Sequence, residues 1–248
     1  MIIFSSCHNA ESYIKKHLES IQAQSYKDYT HIIVDDASTD NTFKIIKQYK
    51  DSRTKICRNE KILRVAQSWI LHLKPITLKY PDEIIIWVGG DDWLSNNKVF
   101  KKIADIYKNK NCWMTYGSFY YLSNPKIKLP QIKATKKMLE SRTFRDFKHP
   151  WIYQPLQTFK AFLFNNVRES DFHGPKGEWI PSSNDRALIY ALLEMCPADK
   201  IQYIEDLLYV YNDENPECVH NSGRQKEQVF YDFLARSRKP YKILEKIK

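Results

Sequence analysis

Residues 3–42 read IFSSCHNAESYIKKHLESIQAQSYKDYTHIIVDDASTDNT, and the succession of patterns in this stretch decides the fold class. Ile2, Ile3 and Phe4 form a short apolar run of the kind a buried strand needs. Tyr13, Ile14, His17, Leu18 and Ile21 then recur three and four apart, so they share one face of a helix. Thr30 to Val34 is rich in β-branched residues and reads as a second strand, ending at Asp35-Asp36. Ser38 offers an N-cap for a second helix marked by Phe43, Ile46 and Tyr49. Strand, helix, strand, helix is the order that parallel strands with helical crossovers require.

Outward from this stretch the alternation continues. Lys55 to Cys57 reads as a short strand and Val65 to Leu73 as a helix. Glu83 to Val88 is a near-continuous apolar run, expected of a strand covered on both faces, and it stops at Gly89-Gly90-Asp91-Asp92. Val99 to Tyr107 is helical and Trp113 to Tyr121 strand-like. The expected architecture is a mostly parallel sheet with helices on both faces. Ligands of such sheets sit beyond the carboxyl ends of the strands. The acidic pairs Asp35-Asp36 and Asp91-Asp92 each end a strand, so they are expected on one rim.

The second half is less regular. Leu122 to Pro150 is polar, basic and long for a loop. Aromatic residues are dense from Trp151 to Phe164. Ser182 or Ser183 starts a helix with Leu188, Ala191, Leu192 and Met195 on its buried face. Ile201 to Ile204 and Leu207 to Tyr211 read as two short strands, and Gly223 opens a last helix through Phe230 and Leu234. With no internal repeat and no Gly/Ser linker, the reading is one domain over 1–222, in two functional halves (1–121 and 122–222), with a helical basic tail over 223–248.

The chain has 248 residues, 43 % hydrophobic and 27 % charged, which excludes a disordered or collagen-like chain. No run of about 20 uncharged apolar residues spans a bilayer. The N-terminus lacks a basic start and a long apolar core, so no secretory signal is expected. Five scattered cysteines without a C-x-x-C argue against a disulfide framework or a zinc site and fit a reducing, cytoplasmic setting. The net charge of +10 implies polyanionic company, whether nucleic acid, anionic lipid or a phosphorylated small molecule. Positive charge thickens only at Arg236, Arg238, Lys239, Lys242, Lys246 and Lys248, which reads as a solvated end or a peripheral membrane contact.

Two carboxylate pairs on one rim repel each other unless a cation joins them. Mg²⁺ or Mn²⁺ takes oxygen ligands, commonly one or two carboxylates plus substrate phosphates. Gly89-Gly90 lets backbone approach a ligand closely. Lys15, Arg58 and Arg64 are candidates to balance remaining phosphate charge. Each pair also has an ordinary reading as turn and cap residues.

The stretch 3–42 resembles the amino-terminal signature of family 2 glycosyltransferases: a strand, a Y-N-a-E turn reaching Glu11, a helix ending S-i-x-x-Q-x-y, and a strand ending D-D-x-S-x-D-x-T. Asn59-Glu60-Lys61 with Leu63 to Ala66 resembles the family's N-e-x-n-l-G-v-a element. Gly89-Gly90-Asp91-Asp92 sits where the family carries its D-x-D or D-D metal motif. Ser183 to Leu188 resembles the E-D-x-x-L segment, and Leu207 to Asn212 the l-y-x-Y-R end. The resemblance runs from residue 1 to about 222.

This resemblance implies a GT-A fold, a Rossmann-like nucleotide-binding α/β sheet, and an inverting transfer from a nucleotide-diphospho-sugar, with UDP favoured. By matched position, Ser6, His8, Glu11, Asp36, Arg64 and Asp91 belong to the nucleotide site. Asp91 and Asp92 hold the metal, Mn²⁺ or Mg²⁺, with His220 a candidate late ligand. Asp185 is the general base, although as the third residue of a helix capped by Ser182 it would also suit a capping role. The implied acceptor is a hydroxyl of a glycan, lipid or protein. The pattern departs from the family at His8 for tyrosine, Arg64 for glycine, Gly89 for aspartate, Asn184 for glutamate and Asn212 for arginine. A catalytically inactive nucleotide-sugar module and a basic nucleic-acid-binding protein are the rival classes. No basic stripe interleaves with aromatics, so a specific nucleic-acid partner is not expected. Trp93, beside the acidic pair, is expected near the site.

Overall fold

A computed structural model describes residues 1–126, 132–216, 218 and 221–245. Its strands are β1 (Ile2–Cys7), β2 (Thr30–Asp35), β3 (Thr54–Arg58), β4 (Ile84–Trp87), β5 (Trp93–Leu94), β6 (Met114–Tyr121), β7 (Gln154–Lys160) and β8 (Ile201–Tyr211). Its α-helices are α1 (Ile14–Gln22), α2 (Thr42–Gln48), α3 (Arg64–Ser68), α4 (Lys74–Lys79), α5 (Val99–Lys110), α6 (Lys136–Ser141), α7 (Ala161–Asn165), α8 (Asn184–Met195) and α9 (Gln225–Ser237). The strands form one sheet in the order β3-β2-β1-β4-β7-β6-β8-β5. β3, β2, β1 and β4 are mutually parallel. The second half is mixed: β7 runs antiparallel to β4 and β6, and β8 runs parallel to β6.

Alternation along the strands covers the sheet on both faces. Ile2 and Phe4 enter one core with Trp69 and the apolar residues of α8, whereas Ile3 enters another with Val99, Phe100 and Ile103 of α5. Ile33 packs with Ile14 and Leu18 of α1 and Ile46 of α2. The mixed α/β sheet flanked by helices is therefore the expected class.

Several elements differ from the sequence reading for identifiable reasons. The helix over 65–73 is part of a longer run, in which a π turn (Trp69–Leu73) joins α3 to α4. Pro75 in the first turn of α4 lacks an N–H and crowds the preceding turn, which favours the wider winding. β7 carries no strand pattern of its own, because QPLQTFK is polar and contains a proline, yet it lies centrally, between β4 and β6. The two short strands near the C-terminus are one strand, β8, whose exposed Glu205-Asp206 interrupts the apolar pattern while its register against β6 shifts. α8 is buried almost all round rather than on one face. The polar stretch after β6 contains α6, capped by the Thr135 hydroxyl accepting from Met138 N at 3.1 Å.

The C-terminal stretch turns Arg236 and Arg238 inward. Arg236 pairs with Asp232 at 3.1 Å and donates to the Asp146 carbonyl, and Arg238 donates to the His173 carbonyl. Past α9 the chain crosses the end of α8, where Tyr241 N donates to Glu194 Oε2 and Leu244 N to the Met195 carbonyl. Lys246 and Lys248 lie outside the described residues. The described cysteines, Cys7, Cys57, Cys112, Cys196 and Cys218, are all free. No helix of the described residues is long and apolar enough to cross a membrane.

Beneath the rim lies a buried polar cluster. His17 donates to or accepts from Ser5 Oγ at 2.9 Å, and His31 Nε2 meets the same hydroxyl at 3.1 Å. Burial pushes the imidazole of His31 down to about 3, with His17 nearby adding to the effect. A histidine held neutral when folded binds its proton in the unfolded chain first. Its stabilisation is therefore complete above the unfolded value of about 6.5 and is lost as pH falls toward about 3. Urea unfolding between pH 6 and pH 4 is expected to show His31→Gln losing stability less steeply than the parent, by about 1.4 kcal/mol per pH unit. Equal slopes would refute the neutral, buried assignment.

Candidate active site

The loops after β1 and β2 are laced together by the polar residues of the opening stretch. Asn9 Oδ1 accepts from Thr39 N at 2.9 Å, and Asn9 N donates to Ser38 Oγ at 3.0 Å. Ala10 N donates to Thr42 Oγ1 at 2.7 Å and Glu11 N to Asp40 Oδ2 at 3.1 Å. The Glu11 carboxylate accepts from both Asn41 N and Asn41 Nδ2, at 3.0 and 2.8 Å. Each side chain satisfies a backbone group that the turn would otherwise leave unpaired. Glu11 thus fastens the start of α2, while the exposed His8 presents its ring beside the Asp36 carbonyl, 2.7 Å from Nδ1.

Asp36, only 3 % exposed, organises the entry to α3. Its Oδ1 accepts from Asn59 Nδ2 at 2.7 Å and Leu63 N at 2.8 Å, and its Oδ2 from Arg64 N at 2.7 Å. This holds Arg64 in the left-handed region at φ 63°, a conformation that glycine adopts without penalty and arginine does not. The exposed Arg64 side chain reaches the Pro181 carbonyl at 3.4 Å, linking this rim to the segment that leads into α8. Asp35 is fully buried and pairs with Arg58 Nε at 3.1 Å, off hydrogen-bonding geometry. Arg58 is thereby engaged within the fold, and Lys15 sits beside Glu19 on exposed α1 surface.

The turn after β4 returns to the same rim. Gly90 N donates to the Ser6 carbonyl at 3.2 Å and Asp36 N to the Cys7 carbonyl at 2.8 Å, so both acidic pairs hang from the end of β1. A Cβ on Gly90 would lie 2.4 Å from Cys7 Cβ, which is why the close approach requires glycine. Asp92 is buried, and both its oxygens are engaged by the end of β8: Oδ2 accepts from Tyr209 Oη at 2.6 Å and Oδ1 from Asn212 N at 2.7 Å. Tyr209 Oη accepts in turn from Gly89 N at 3.1 Å. Burial, reinforced by the neighbouring Asp91 charge, raises the Asp92 carboxyl well above the usual carboxylate range. Burial also raises Asp91, while Asn215 Nδ2, donating to Asp91 Oδ2 at 2.7 Å, partly offsets it.

The metal expectation can be tested on Gly89. A Cβ there would stand 2.8 Å from Asp92 Oδ2 and 3.2 Å from Asp91 Oδ1, so glycine keeps room beside both carboxylates. Hard oxygen donors of this kind fit Mg²⁺ or Mn²⁺. Among the described residues no group of three or more His, Cys, Asp and Glu forms a metal cage. His220 lies outside the described residues.

Asp185 occupies the first turn of α8, half-buried. The cap is Ser183, not Ser182, and its hydroxyl does not cap the helix but donates to the Gln228 carbonyl at 2.9 Å. Asp185 is therefore the second helical residue, and the capping-box role does not arise. Burial raises its carboxyl, and the Arg186 guanidinium opposes the rise. The adjacent Ser182 Oγ and Asn184 Oδ1 are buried without a hydrogen-bond partner among the described residues.

Sequence reasoning missed Asn59, Tyr209, Asn212 and Asn215 as rim residues. Asn59 fell in a matched motif, and Tyr209 and Asn212 in the matched segment after 206, so the signal existed without a role attached. Trp93 follows the acidic pair in the chain, but its ring is buried under Lys16 Nζ, 3.9 Å from the centroid.

The eight-stranded mixed sheet with both acidic turns at strand ends on one rim is the architecture of a GT-A glycosyltransferase fold. Solved structures agree on the fold. The structure of S. aureus TarS 1–349 in complex with UDP-GlcNAc matches with TM-score 0.59 at 16 % identity, over 86 % of this chain and 58 % of that one. Mannosyltransferase PcManGT from Pyrobaculum calidifontis, in complex with GDP-Man and Mn²⁺, matches with TM-score 0.60 at 14 % identity, over 97 % and 65 %. In sequence, the model of "Glycosyl transferase family 2" matches residues 2–169, and the chain belongs to that family. An uncharacterized glycosyltransferase of Haemophilus influenzae is 27 % identical over 68 % of each chain. The Escherichia coli protein WfgD, named a UDP-Glc:alpha-D-GlcNAc-diphosphoundecaprenol beta-1,3-glucosyltransferase, is 31 % identical over 50 % of this chain and 47 % of its own. The chain thus spans about two thirds of the first relative and about half of the second.

Tyr209→Phe deletes a hydroxyl that both donates to Asp92 and accepts from Gly89 N. It is expected to destabilise the fold by about 1–3 kcal/mol in urea unfolding, because two buried groups lose their partner. A loss below a few tenths would mean that the clamp is not formed.

Proposed function

We propose that the protein transfers a sugar, with inversion, from a UDP-sugar to a hydroxyl of a glycan or lipid-linked acceptor. What supports this most is the suspension of Asp36 and the Asp91-Asp92 turn from the end of one strand, β1, where ligands of such sheets bind. The UDP preference draws on WfgD and the TarS complex, whose names carry UDP-linked sugars. Ser6, His8 and Asp36 line the nucleoside end. Glu11 shapes it through α2 rather than by contact. Arg64, whose guanidinium lies on the Pro181 carbonyl at the same rim, is the side chain assigned to the diphosphate.

Asp91, less encumbered than Asp92, would hold a divalent cation, with Asp92 bracing it. Mg²⁺ or Mn²⁺ bound there supplies positive charge against the departing diphosphate. In the transfer the acceptor oxygen bonds to the anomeric carbon as the carbon–phosphate-oxygen bond breaks, its electron pair leaving with the diphosphate. The acceptor proton passes to Asp185, whose raised carboxyl makes it a stronger base than an exposed aspartate.

Asp185→Asn is expected to keep its melting temperature and lose about 100- to 10,000-fold in kcat, measured by UDP release with acceptor present. Full activity would remove Asp185 from the mechanism. Because the base works only when deprotonated, kcat/KM should fall as pH drops, with a midpoint above the ordinary aspartate value of about 4. Arg64→Gly should stay within about 1 kcal/mol of the parent in stability, relieving the left-handed backbone, while binding UDP about tenfold more weakly by calorimetry. Unchanged affinity would place the arginine outside the donor site. Thermal-shift screening of UDP, GDP and dTDP with and without Mn²⁺ tests the donor, a bound nucleotide at 100 times its Kd adding about 2.7 kcal/mol. Stabilisation by GDP alone would overturn the UDP assignment.

A further inference from the structure

α9 has two unlike faces. Its inner face is fixed to α8: Ser183 Oγ donates to the Gln228 carbonyl, and Asp232 pairs with Arg186 at 2.7 Å and with Arg236. Leu234 and Ala235 pack into the core. The outer face presents Lys226, Val229, Phe230, Phe233 and Ser237, spaced three and four apart. Val229 is 67 % exposed, Phe230 49 % and Phe233 59 %. Phe147, 62 % exposed, extends the patch from a neighbouring loop, its ring centroid 5.2 Å from that of Phe233. Single exposed apolar residues are common on soluble proteins, but a contiguous aromatic cluster marks a contact surface.

Charge identifies what the surface meets. On the helix face itself no carboxylate is exposed: Asp232 is turned inward and Glu227 lies on the flank with Glu178 beside Tyr231, while the half-buried Asp146 adjoins Phe147 in the neighbouring loop. Cations are present on it and next to it in the chain, Lys226 on the helix and the exposed Lys148 beside Phe147. Exposed Lys239, Lys242 and Ile243 follow the helix, with the exposed Glu245 beyond them. An amphipathic helix with large apolar residues, cationic neighbours and no exposed acid on that face is complementary to an anionic lipid surface. At 13 residues α9 is about 20 Å long, enough to lie flat in the headgroup region.

We infer that the outer face of α9, with Phe147, docks the protein on an anionic membrane. The basic arginines near the chain end do not mediate this contact, because Arg236 and Arg238 are engaged inside the fold. The docking stands on the surface alone. If Asp185 is the base, it also sets the membrane one helix away from the acceptor side, since the first turn of α8 is fastened to the inner face of α9.

Vesicle flotation of the full chain tests the inference, using phosphatidylcholine with and without phosphatidylglycerol. The parent should float with the anionic vesicles only, and less so as salt rises. Phe230→Ser with Phe233→Ser should reduce the bound fraction about tenfold with an unchanged circular-dichroism melt, as both rings are exposed. Lys226→Glu should weaken binding and flatten its salt dependence. The inference is overturned if the parent ignores anionic vesicles or if the double variant floats as well as the parent. It is equally overturned if light scattering shows a dimer that the double variant dissolves, which would make the face a contact between copies. None of these readouts involves sugar transfer, so they leave the catalytic proposal to its own tests.

Discussion

One buried carboxylate joins the two halves of this molecule. Asp92 accepts from Tyr209 Oη and Asn212 N, both from the end of β8, while its own carbonyl lies 2.7 Å from His17 Nδ1 on α1. The turn after β4, the first helix and the last strand are thereby held in one arrangement. Burying a carboxylate beside a second one is unfavourable on its own, and the raised titration of both Asp91 and Asp92 expresses that cost. Full hydrogen bonding of Asp92 is what makes the arrangement tolerable. Asp91, with a single asparagine partner and partial exposure, keeps capacity for a ligand.

The motif residues of the opening stretch act on each other before they act on any substrate. Asn9, Glu11, Ser38, Asp40 and Thr42 exchange hydrogen bonds across two loops. Asp36 directs three donors from the segment 59–64. A rim built this way is preorganised, with its backbone set by short polar side chains rather than by a ligand. The left-handed Arg64 fits the same logic. A non-glycine residue in that region costs roughly 1–2 kcal/mol, and Asp36 offsets it with two bonds to the adjoining amides.

The first half was legible in the sequence because its signals are local. β1, α1, β2 and α2 each have their own period, and the acidic pairs mark strand ends directly. The second half depends on partners far along the chain. β7 has no apolar alternation of its own and is a strand because β4 and β6 supply neighbours on both sides. α8 is buried all round, so its period is blurred. The position of Asp185 in its helix turned on whether Ser182 or Ser183 precedes it, and the Ser183 hydroxyl that would mark a cap bonds to α9 instead. A charge count near the C-terminus could not say that Arg236 points inward while Phe230 and Phe233 point out, since direction is set by packing against α8.

Net charge and site charge therefore answer different questions. The surplus of +10 lies mostly on exposed lysines, whereas the rim carries buried acid. A polyanionic donor approaching that rim meets carboxylates first, and only a cation or an arginine there makes the encounter favourable. Arg58 is committed to Asp35 and Lys15 lies beside Glu19, so in the donor site proposed above the balancing of diphosphate charge would fall to Arg64 and a cation held by Asp91. On the docking face inferred for α9, the surface cations would act toward a negatively charged layer rather than toward the donor.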